Sequence, residues 1–374
     1  MRPGLPLPAL PRPEPTAAMR PAVPVFLFAL AFLAPARGAE MPVVTIGGAD
    51  YVSIDDGAGR LGLRVVRLAP QPAAILKDGA KPVARVADHS REIDVMGLRV
   101  FLGEPVIARG GTLYISRIDF ESHLLPRLRP DLCGPPPRPP QVIAIDPGHG
   151  GTDPGASNKA SGTMEKTYTL DVSLRLKRLL EAAGYLVVLT RDSDIDLPKP
   201  IRAETANRAK ADLFVSVHFN SLNPNTKTTG VEVQYFPPRL QRSADSWSPG
   251  HADNAETKEA PVNAFDPWNT ILAAELHRRI LDTLRDGDRG EKQEHLGVLR
   301  DLKCAGVLVE PAFISSDAEA AKLAKPDFRE TIAVAVFEGI QDYAGVIRAL
   351  HPAPAAAAGA GAAAHAQPTR PLGP

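Results

Sequence analysis

Three apolar segments of the chain each end beside a side chain that can bind a metal ion or carry a proton. Those side chains are His149 in the stretch DPGHGG after Val142–Asp146, His218 near the end of Leu213–Phe219, and Glu310 at the end of Gly306–Glu310. Each segment reads as a β-strand, and the carboxyl ends of parallel strands lie at one edge of an open sheet. We therefore expect the three side chains to converge. Glu165, in the first turn of the helix after the glycine-rich stretch, is a fourth candidate.

Two histidines and a carboxylate are a ligand set of catalytic zinc sites, which keep one coordination position open for water. Bound zinc lowers the pKa of that water towards ~7, so that hydroxide forms near neutral pH. A further carboxylate is then needed to take the proton and pass it to a leaving amine. His149, Glu165, His218 and Glu310 satisfy this count of three ligands and one base. The pattern predicts a hydrolytic site with one Zn²⁺ per chain.

Each of these residues also has an ordinary structural explanation. A histidine at a strand end is more often a hydrogen-bonded structural residue than a ligand, and the helix dipole favours a glutamate in a first turn. Glu310 is harder to explain in this way, because an ionised carboxylate in an apolar strand needs a partner. The glycine-rich stretch lacks the Walker lysine pattern and the dinucleotide fingerprint, which argues against phosphate binding. Only the four residues together favour a catalytic site.

Strands alternate with helices between residues 141 and 350, which is typical of an α/β fold. The strands are expected at 142–146, 185–190, 213–219, 231–236 and 306–310, and the helices at 164–183, 201–210, 271–284 and 327–350. We predict a twisted, largely parallel sheet flanked by helices. A polar insertion at 239–268 has no convincing helical period and is expected to form a long loop over one face.

Residues 41–130 are expected to form a small β-rich domain, because short apolar runs alternate there with Gly, Asp and Pro. One pattern occurs twice: ADYVSIDDGAGRLGLRV, around Tyr51, is echoed by TLYISRIDFESHLLPRL, around Tyr114. Each copy predicts a strand leading into a short helical segment. The pair resembles the N-terminal domain of copper amine oxidases, although no metal-binding cluster accompanies it, and a generic β-rich spacer is the alternative. Residues 131–140 then predict a stiff, proline-rich linker.

The first 39 residues read as an upstream extension followed by a secretory signal peptide. The run PAVPVFLFALAFLAPARGAE ends in small residues, with cleavage expected between Ala36 and Ala39, and it is short for a membrane span of ~20 apolar residues. We expect a protein exported to the periplasm or cell envelope, not membrane-spanning after signal removal. Residues 351–374, rich in Ala and Pro, are predicted to be disordered. Lys and Arg total 43, as do Asp and Glu, which leaves no basic footprint for nucleic acid.

Six motifs occur in order within the α/β region. They are IDPGHGGTDPGA, MEKTYTLDVSLRLKRLLEAAGYLVVLTR, RAETANRAKADLFVSVHFNS, GVEVQYF, LGVLRDLKCAGVLVEPAFIS and IAVAVFEGIQDY. Together they resemble the zinc-dependent N-acetylmuramoyl-L-alanine amidases, the amidase-3 family, over about 142–343. The resemblance implies hydrolysis of the amide that joins the lactyl group of muramic acid to L-alanine in peptidoglycan. It also implies that His149, Glu165 and His218 ligate zinc and that Glu310 is the catalytic glutamate.

Asn220, beside His218, and Arg289, in DRGEKQ, are candidates for contacts with the substrate, and each also has a structural explanation. The chain departs from the family at EPAF, where Pro311 follows Glu310; a strand end tolerates the loss of one backbone donor. Two other functions stay open at this point. One is a zinc peptidase or deacetylase acting on another wall bond, and the other is a non-catalytic peptidoglycan-binding or regulatory protein on the same fold. An activator protein is a candidate partner.

Overall fold

The structure, a computed structural model, describes residues 41–244 and 265–351. The signal peptide predicted within 1–39, most of the insertion predicted at 239–268 and nearly all of the tail predicted at 351–374 lie outside these ranges. Across the described ranges, no helix is both long and apolar enough to cross a membrane. The described chain forms a β-rich amino-terminal region and an α/β region, and the two regions share one sheet.

Short strands and one regular helix build the amino-terminal region. The strands are β1 (Val43–Ile46), β2 (Ala49–Ser53), β3 (Arg64–Leu68), β4 (Ala73–Asp78), β5 (Lys81–Ala87), β6 (Glu92–Val95), β7 (Leu98–Phe101), β8 (Ile107–Arg109) and β9 (Thr112–Ser116). Helix α1 (Ile54–Leu61) begins after Ser53, whose hydroxyl accepts a hydrogen bond from the backbone N–H of Asp56 at 3.0 Å. Such a cap satisfies an N–H group that has no partner within the helix.

Each copy of the repeated sequence pattern forms a strand followed by a serine-capped helical segment. After β9 the segment consists of Arg117–Asp119, the π-helix Phe120–Leu124 and a last turn, Leu125–Leu128. Strands β2 and β9 pair antiparallel at the centre of a four-stranded sheet with the order β1-β2-β9-β8. The apolar sides of the two copies meet in one core, which contains Ile54 and Phe120.

Strands and helices alternate in the α/β region, as its sequence predicts. The strands are β10 (Val142–Pro147), β11 (Ser157–Asn158), β12 (Thr163–Met164), β13 (Leu186–Leu189), β14 (Leu213–Val217), β15 (Val231–Tyr235), β16 (Asp288–Gln293) and β17 (Ala305–Glu310). The helices are α2 (Glu165–Ala182), α3 (Lys199–Arg208), α4 (Asp266–Leu284), α5 (Asp317–Leu323) and α6 (Pro326–Leu350). Helix α4 begins earlier than predicted, because Pro267 is favoured in a first helical turn.

The large sheet is mixed. Its strands from the α/β region are largely parallel, as predicted, with one antiparallel pair, and its strands from the amino-terminal region are antiparallel to one another. Its strand order is β13-β10-β14-β17-β15-β16-β7-β6-β5-β4-β3. The pairs among β13, β10, β14 and β17 are parallel, whereas β15 lies antiparallel to β17. A parallel connection needs a crossover of a dozen or more residues, usually a helix, and no helix separates β14 from β15. Helix α4 separates β15 from β16, and those two strands are parallel.

Both faces of the α/β part of the sheet are covered by helices. Alternate residues of a strand point to opposite faces. In β17, Val307 and Val309 join the core formed with α2, α4 and α6, while Leu308 joins the smaller core on the α3 side. The carboxyl ends of β10, β14 and β17 are therefore held side by side by packing on both faces.

A buried polar junction joins the two regions. Strand β7 pairs parallel with β16 at Val100 and Glu291. Arg127, from the last helical turn of the amino-terminal region, forms an ion pair with Glu291, and both side chains are almost wholly buried. Tyr235 Oη of β15 lies 2.9 Å from Nδ1 of His123. The sequence did not predict β16, because its motif DRGEKQ is polar and its buried Glu291 is paired across this junction.

Candidate metal centre and active site

The three strand ends that were expected to converge are neighbours in the sheet. His149 follows β10, His218 follows β14 directly, and Glu310 is the last residue of β17. The backbone N–H of His218 donates to the carbonyl of Val309 at 3.0 Å, which fixes the end of β14 against the end of β17. The expected placement of these side chains at one edge of the sheet is what the structure shows.

His149, Glu165 and His218 surround a single point. One ligand atom from each lies within 4.8 Å of the others. Nε2 of His149 is 3.2 Å from one carboxylate oxygen of Glu165, and Nδ1 of His218 is 2.8 Å from the other oxygen. The two imidazole rings stand edge to face with their centroids 4.8 Å apart. Two ring nitrogens are thus directed at one buried carboxylate.

This set of donor atoms fits a zinc ion. Two imidazole nitrogens and one carboxylate oxygen are the protein ligands of one class of catalytic zinc site. A ligating histidine usually donates its other ring N–H to a carboxylate, and Nδ1 of His149 lies 2.8 Å from Asp153 Oδ2. This role of Asp153 was not predicted from the sequence. The available signal was an acidic residue four positions after His149 in the same loop. His149, Glu165 and His218 could therefore hold one Zn²⁺.

The loop after β10 bends back sharply to deliver His149. His149 itself has a φ of +60°, a left-handed conformation that non-glycine residues seldom adopt and that clusters at functional sites. Gly155 has a φ of +66°, and a Cβ at that position would lie 2.6 Å from the imidazole of His149 and 2.7 Å from the carboxylate of Glu165. The loop therefore needs glycine where its backbone passes the candidate ligands.

Two buried arginines hold the carbonyl groups of this loop. Arg202 donates to Pro147 O at 2.7 Å and to His149 O at 2.8 Å, while Arg191 donates to Gly148 O at 2.8 Å. Buried backbone carbonyls need hydrogen-bond donors, and these guanidinium groups supply several at once. Neither arginine could be recognised from the sequence, since an arginine at a strand end or in a helix carries no signal of its own.

Glu165 is held as an anion. Burial alone would raise its pKa, but hydrogen bonds with His149 and His218 outweigh burial and lower the pKa well below the ordinary value. Its carboxylate also accepts the backbone N–H groups of Ala156 at 2.8 Å and Phe219 at 3.0 Å. A carboxyl group that keeps its negative charge suits a metal ligand and is a poor proton carrier.

Glu310 has the opposite electrostatic environment. It is 9% exposed, and its Oε2 has no hydrogen-bond partner in the part of the chain that the structure describes. Burial raises its pKa well above the ordinary value, the negative charges of Glu165 and Glu232 raise it further, and Lys292 opposes them. A carboxylate with a raised pKa is a stronger proton acceptor than an ordinary carboxylate. The two glutamates therefore differ in what each can do.

The two candidates for substrate contacts lie near the loop that follows Glu310. The backbone N–H of Asn220 donates to Ala312 O at 2.9 Å, and its carbonyl accepts from Ile314 at 2.8 Å. The guanidinium group of Arg289 lies 5.7 Å from the ring centroid of Phe313. Asn220 is thus tied to the candidate site through its backbone, whereas Arg289 sits beside the same loop without a described contact to the histidines.

Comparison with known proteins gives the family. Residues 143–342 match the family described as N-acetylmuramoyl-L-alanine amidase, which is more than half of the 374 residues. The chain belongs to this family. The matched range contains His149, Glu165, His218 and Glu310. The amino-terminal region lies outside it.

Several named relatives are similar over the same part. The N-acetylmuramoyl-L-alanine amidase AmiC of Neisseria meningitidis serogroup B is 30% identical over 220 residues, 54% of this chain and 52% of the relative. The endolysin of Bacillus phage SPP1 is 36% identical over 203 residues, 54% of this chain and 65% of the relative. The catalytic domain of CwlV from Bacillus (Paenibacillus) polymyxa matches at 28% identity with a TM-score of 0.45, over 55% of this chain and 99% of that one. The chain spans about half the length of the AmiC relative.

Proposed function

We propose that this protein is a zinc-dependent N-acetylmuramoyl-L-alanine amidase. It hydrolyses the amide between the lactyl group of N-acetylmuramic acid and L-alanine in peptidoglycan. The observation that carries the proposal is the grouping of His149, Glu165 and His218 around one point. This point lies at the edge of the sheet where β17 ends with Glu310. The substrate class comes from the family to which the chain belongs.

Each residue of the site has a role in the proposed reaction. His149, Glu165 and His218 hold one Zn²⁺, which when bound polarises the scissile carbonyl and lowers the pKa of water. Asp153 fixes the ring of His149 through Nδ1, so that Nε2 faces Glu165. The ionised Glu165 accepts hydrogen bonds from two backbone N–H groups, which hold its carboxylate in one orientation.

Glu310 moves the proton. Its buried carboxylate takes a proton from the attacking water and then gives it to the amide nitrogen as the bond to that nitrogen breaks. The peptide leaves with a free amino group on L-alanine, and the lactyl group becomes a carboxylic acid. Asn220 and Arg289 are proposed to contact the substrate, and the support for Arg289 is a buried Nε with no hydrogen-bond partner among the described residues.

The wider organisation is proposed as well. We assign 41–130 to an accessory domain like that of copper amine oxidases, 131–140 to a linker and 141–350 to the catalytic domain. The separate apolar core around β2, β9 and α1 supports this division. Export to the periplasm or cell envelope follows from the apolar segment after Met19 and from a peptidoglycan substrate. An activator protein remains a proposed partner.

The test is turnover of purified, insoluble peptidoglycan by the protein, with mass spectrometry of the soluble products. We expect peptides that begin with L-alanine and glycan strands that stay intact. A chelator should stop the release, and added Zn²⁺ should restore it. Glu310→Gln, which has nearly the same shape as the parent side chain, is the matched control and should release nothing while keeping its zinc.

Other products would contradict the proposal. Cleavage within the peptide cross-links would identify a peptidase, and release of acetate would identify a deacetylase. Binding to peptidoglycan without any release, by a protein that contains no zinc, would favour a non-catalytic binding protein. The same result with about one zinc ion per chain would point to a missing activator.

A further inference from the structure

A second glutamate lies directly beside Glu310. Strands β15 and β17 are antiparallel, and Glu232 is paired with Glu310 in their register. Paired residues on neighbouring strands point to the same face, with Cβ atoms about 4.5–5.5 Å apart. The side chain of Glu232 is only 3% exposed. Two buried carboxyl groups therefore face the same side of the sheet at the candidate site.

The two carboxyl groups have different partners. Lys292 Nζ lies 3.0 Å from Glu232 Oε2, and Gln234 Nε2 donates to Glu232 Oε1 at 2.6 Å. Glu310 Oε2 has no such donor within the described ranges. The carboxylate of Glu232 is therefore held by two donors, whereas Glu310 Oε2 is left without one.

The amino-terminal region contributes to the position of Lys292. Phe101, the last residue of β7, has its ring centroid 5.6 Å from Lys292 Nζ. The same ring lies against Gly290 of β16, where a Cβ would come within 2.5 Å of it. Gly290 has a φ of +97°, so both its conformation and the close approach of Phe101 require glycine. A short series of contacts thus runs from β7 through Lys292 and Glu232 towards Glu310.

We propose that Glu232 and Lys292 are positioning residues for Glu310. Their ion pair places a fixed negative charge beside the proton carrier, and Phe101 of the amino-terminal region keeps Lys292 in place. This inference rests on the proposed function, because it assumes that Glu310 carries the proton. It gives the amino-terminal region a role in catalysis that does not depend on binding the cell wall.

The charged groups that act on Glu310 come from three elements. They are Glu165 on α2, Glu232 on β15 and Lys292 on β16. Removing the charge of Glu232 takes away a neighbour that raises the pKa of Glu310. Removing Lys292 takes away a neighbour that lowers it. The two substitutions should therefore shift the acidic limb of the pH–rate profile in opposite directions, which a purely structural role would not do.

The experiment compares Lys292→Met, Lys292→Arg and Glu232→Gln with the parent protein, on soluble muropeptide. Lys177→Met removes a partly exposed lysine of α2 that pairs with Glu181, and it is the matched control. We expect Lys292→Met to lower kcat about 10- to 100-fold and to leave KM little changed. The loss is smaller than the full contribution of a general acid–base group, because Glu310 itself is still present. Lys292→Arg should restore most of kcat. In kcat/KM, the acidic limb should move to higher pH in Lys292→Met and to lower pH in Glu232→Gln.

Zinc content and the melting temperature, measured on the same samples, separate this role from a loss of structure. Phe101→Leu should show a weaker form of the Lys292→Met effect. The inference is overturned if the Lys292 and Glu232 variants keep parental kcat and pH profiles, or if both profiles shift the same way. It also fails if Lys292→Arg is as impaired as Lys292→Met at equal zinc content and stability. Glu310→Gln tests the proposed function separately. Substantial turnover in that variant would contradict the proposed function itself.

Discussion

Asp153 and Glu165 contact opposite nitrogens of the same imidazole ring. Nδ1 of His149 lies 2.8 Å from Asp153 Oδ2, and Nε2 lies 3.2 Å from Glu165 Oε2. An Nδ1–H that donates to Asp153 leaves the lone pair on Nε2, the nitrogen that faces the candidate metal position. The orientation of this histidine is therefore set by a residue that need not touch the metal.

Asp153→Asn should weaken zinc binding about 10- to 100-fold, which is typical for the loss of such an outer partner. The measurement is a competition titration with a chelator of known zinc affinity. Asp192→Asn, at an exposed position near the same loop, is the control and should bind zinc like the parent. Equal zinc affinity in Asp153→Asn and the parent would show that His149 is oriented without this contact.

Substitutions at Glu310 and at His149 should have different effects on catalysis and on metal binding. Glu310→Gln is expected to lose turnover and keep close to one zinc per chain, because Glu310 is not one of the three grouped ligands. His149→Ala is expected to lose both, because removing one of three protein ligands disrupts the site. Zinc content by atomic absorption and product release by mass spectrometry give the two readouts. A zinc-depleted Glu310→Gln would contradict this division of roles.

Arg202→Met should destabilise the fold by about 3–5 kcal/mol, because it leaves a buried carboxylate without its charged partner. Arg202 Nη1 lies 2.8 Å from Asp146 Oδ1, and both side chains are buried. The free energy of unfolding is obtained from denaturant titration. Arg202→Lys keeps the charge but cannot reach Pro147 O and His149 O together, and it should fall between Arg202→Met and the parent. A loss under 1 kcal/mol in Arg202→Met would contradict the assigned role.

Glu319 should make stability depend on pH. Burial, together with the neighbouring Asp286, raises the pKa of Glu319 to about 8. The folded protein therefore holds a proton that the unfolded chain releases near pH 4–5, so the stabilisation is complete at low pH and is lost as the pH rises towards 8. Between pH 6 and pH 9 the free energy of unfolding should fall by about 1–3 kcal/mol, since one pKa unit corresponds to about 1.4 kcal/mol.

Glu319→Gln is the matched variant for this test, because it resembles the protonated carboxyl group. Glu319 accepts the backbone N–H of Phe313 at 2.6 Å, in the loop that follows Glu310. The variant should show a flatter dependence of stability on pH over the same range. Parallel curves for Glu319→Gln and the parent would assign the pH dependence to other groups.

Arg127→Met should lower the stability of both regions together. Arg127 and Glu291 form a buried ion pair across the junction, and loss of one partner of such a pair costs about 3–5 kcal/mol. Calorimetry of the parent should show one unfolding transition, and Arg127→Met should shift it as a whole. Two separate transitions in the parent would show that the regions fold independently and would argue against coupling through this junction.

Much of the site was predictable because strand ends are visible in a sequence. Apolar runs ending at His149, His218 and Glu310 were enough to place these residues at one edge, since parallel strands share that edge. The glycines next to His149 marked the sharp turn. Glu165 and Glu310 could not be told apart in this way, because the opposite directions of their pKa shifts come from contacts with residues distant in the sequence.

The supporting residues were not predictable for the same reason. Arg191, Arg202 and Lys292 act through hydrogen bonds that form only when separate elements meet, and polar residues have no periodicity that reveals burial. The direction of β15 was also hidden, because an apolar run does not show which way its strand lies in the sheet. Strand β16 was not predicted, because its sequence is polar and its buried Glu291 is stabilised by Arg127 from outside the α/β region.

The pairing of β7 with β16 covers a row of backbone groups that would otherwise face solvent. A catalytic region produced alone would end its sheet at β16, with unpaired N–H and C=O groups available to strands of other molecules. It would also expose the side of Glu291 that Arg127 now covers. Shortened versions of this protein should therefore self-associate through that edge, and exchanging its amino-terminal region for that of a relative should succeed only where a matching strand is supplied.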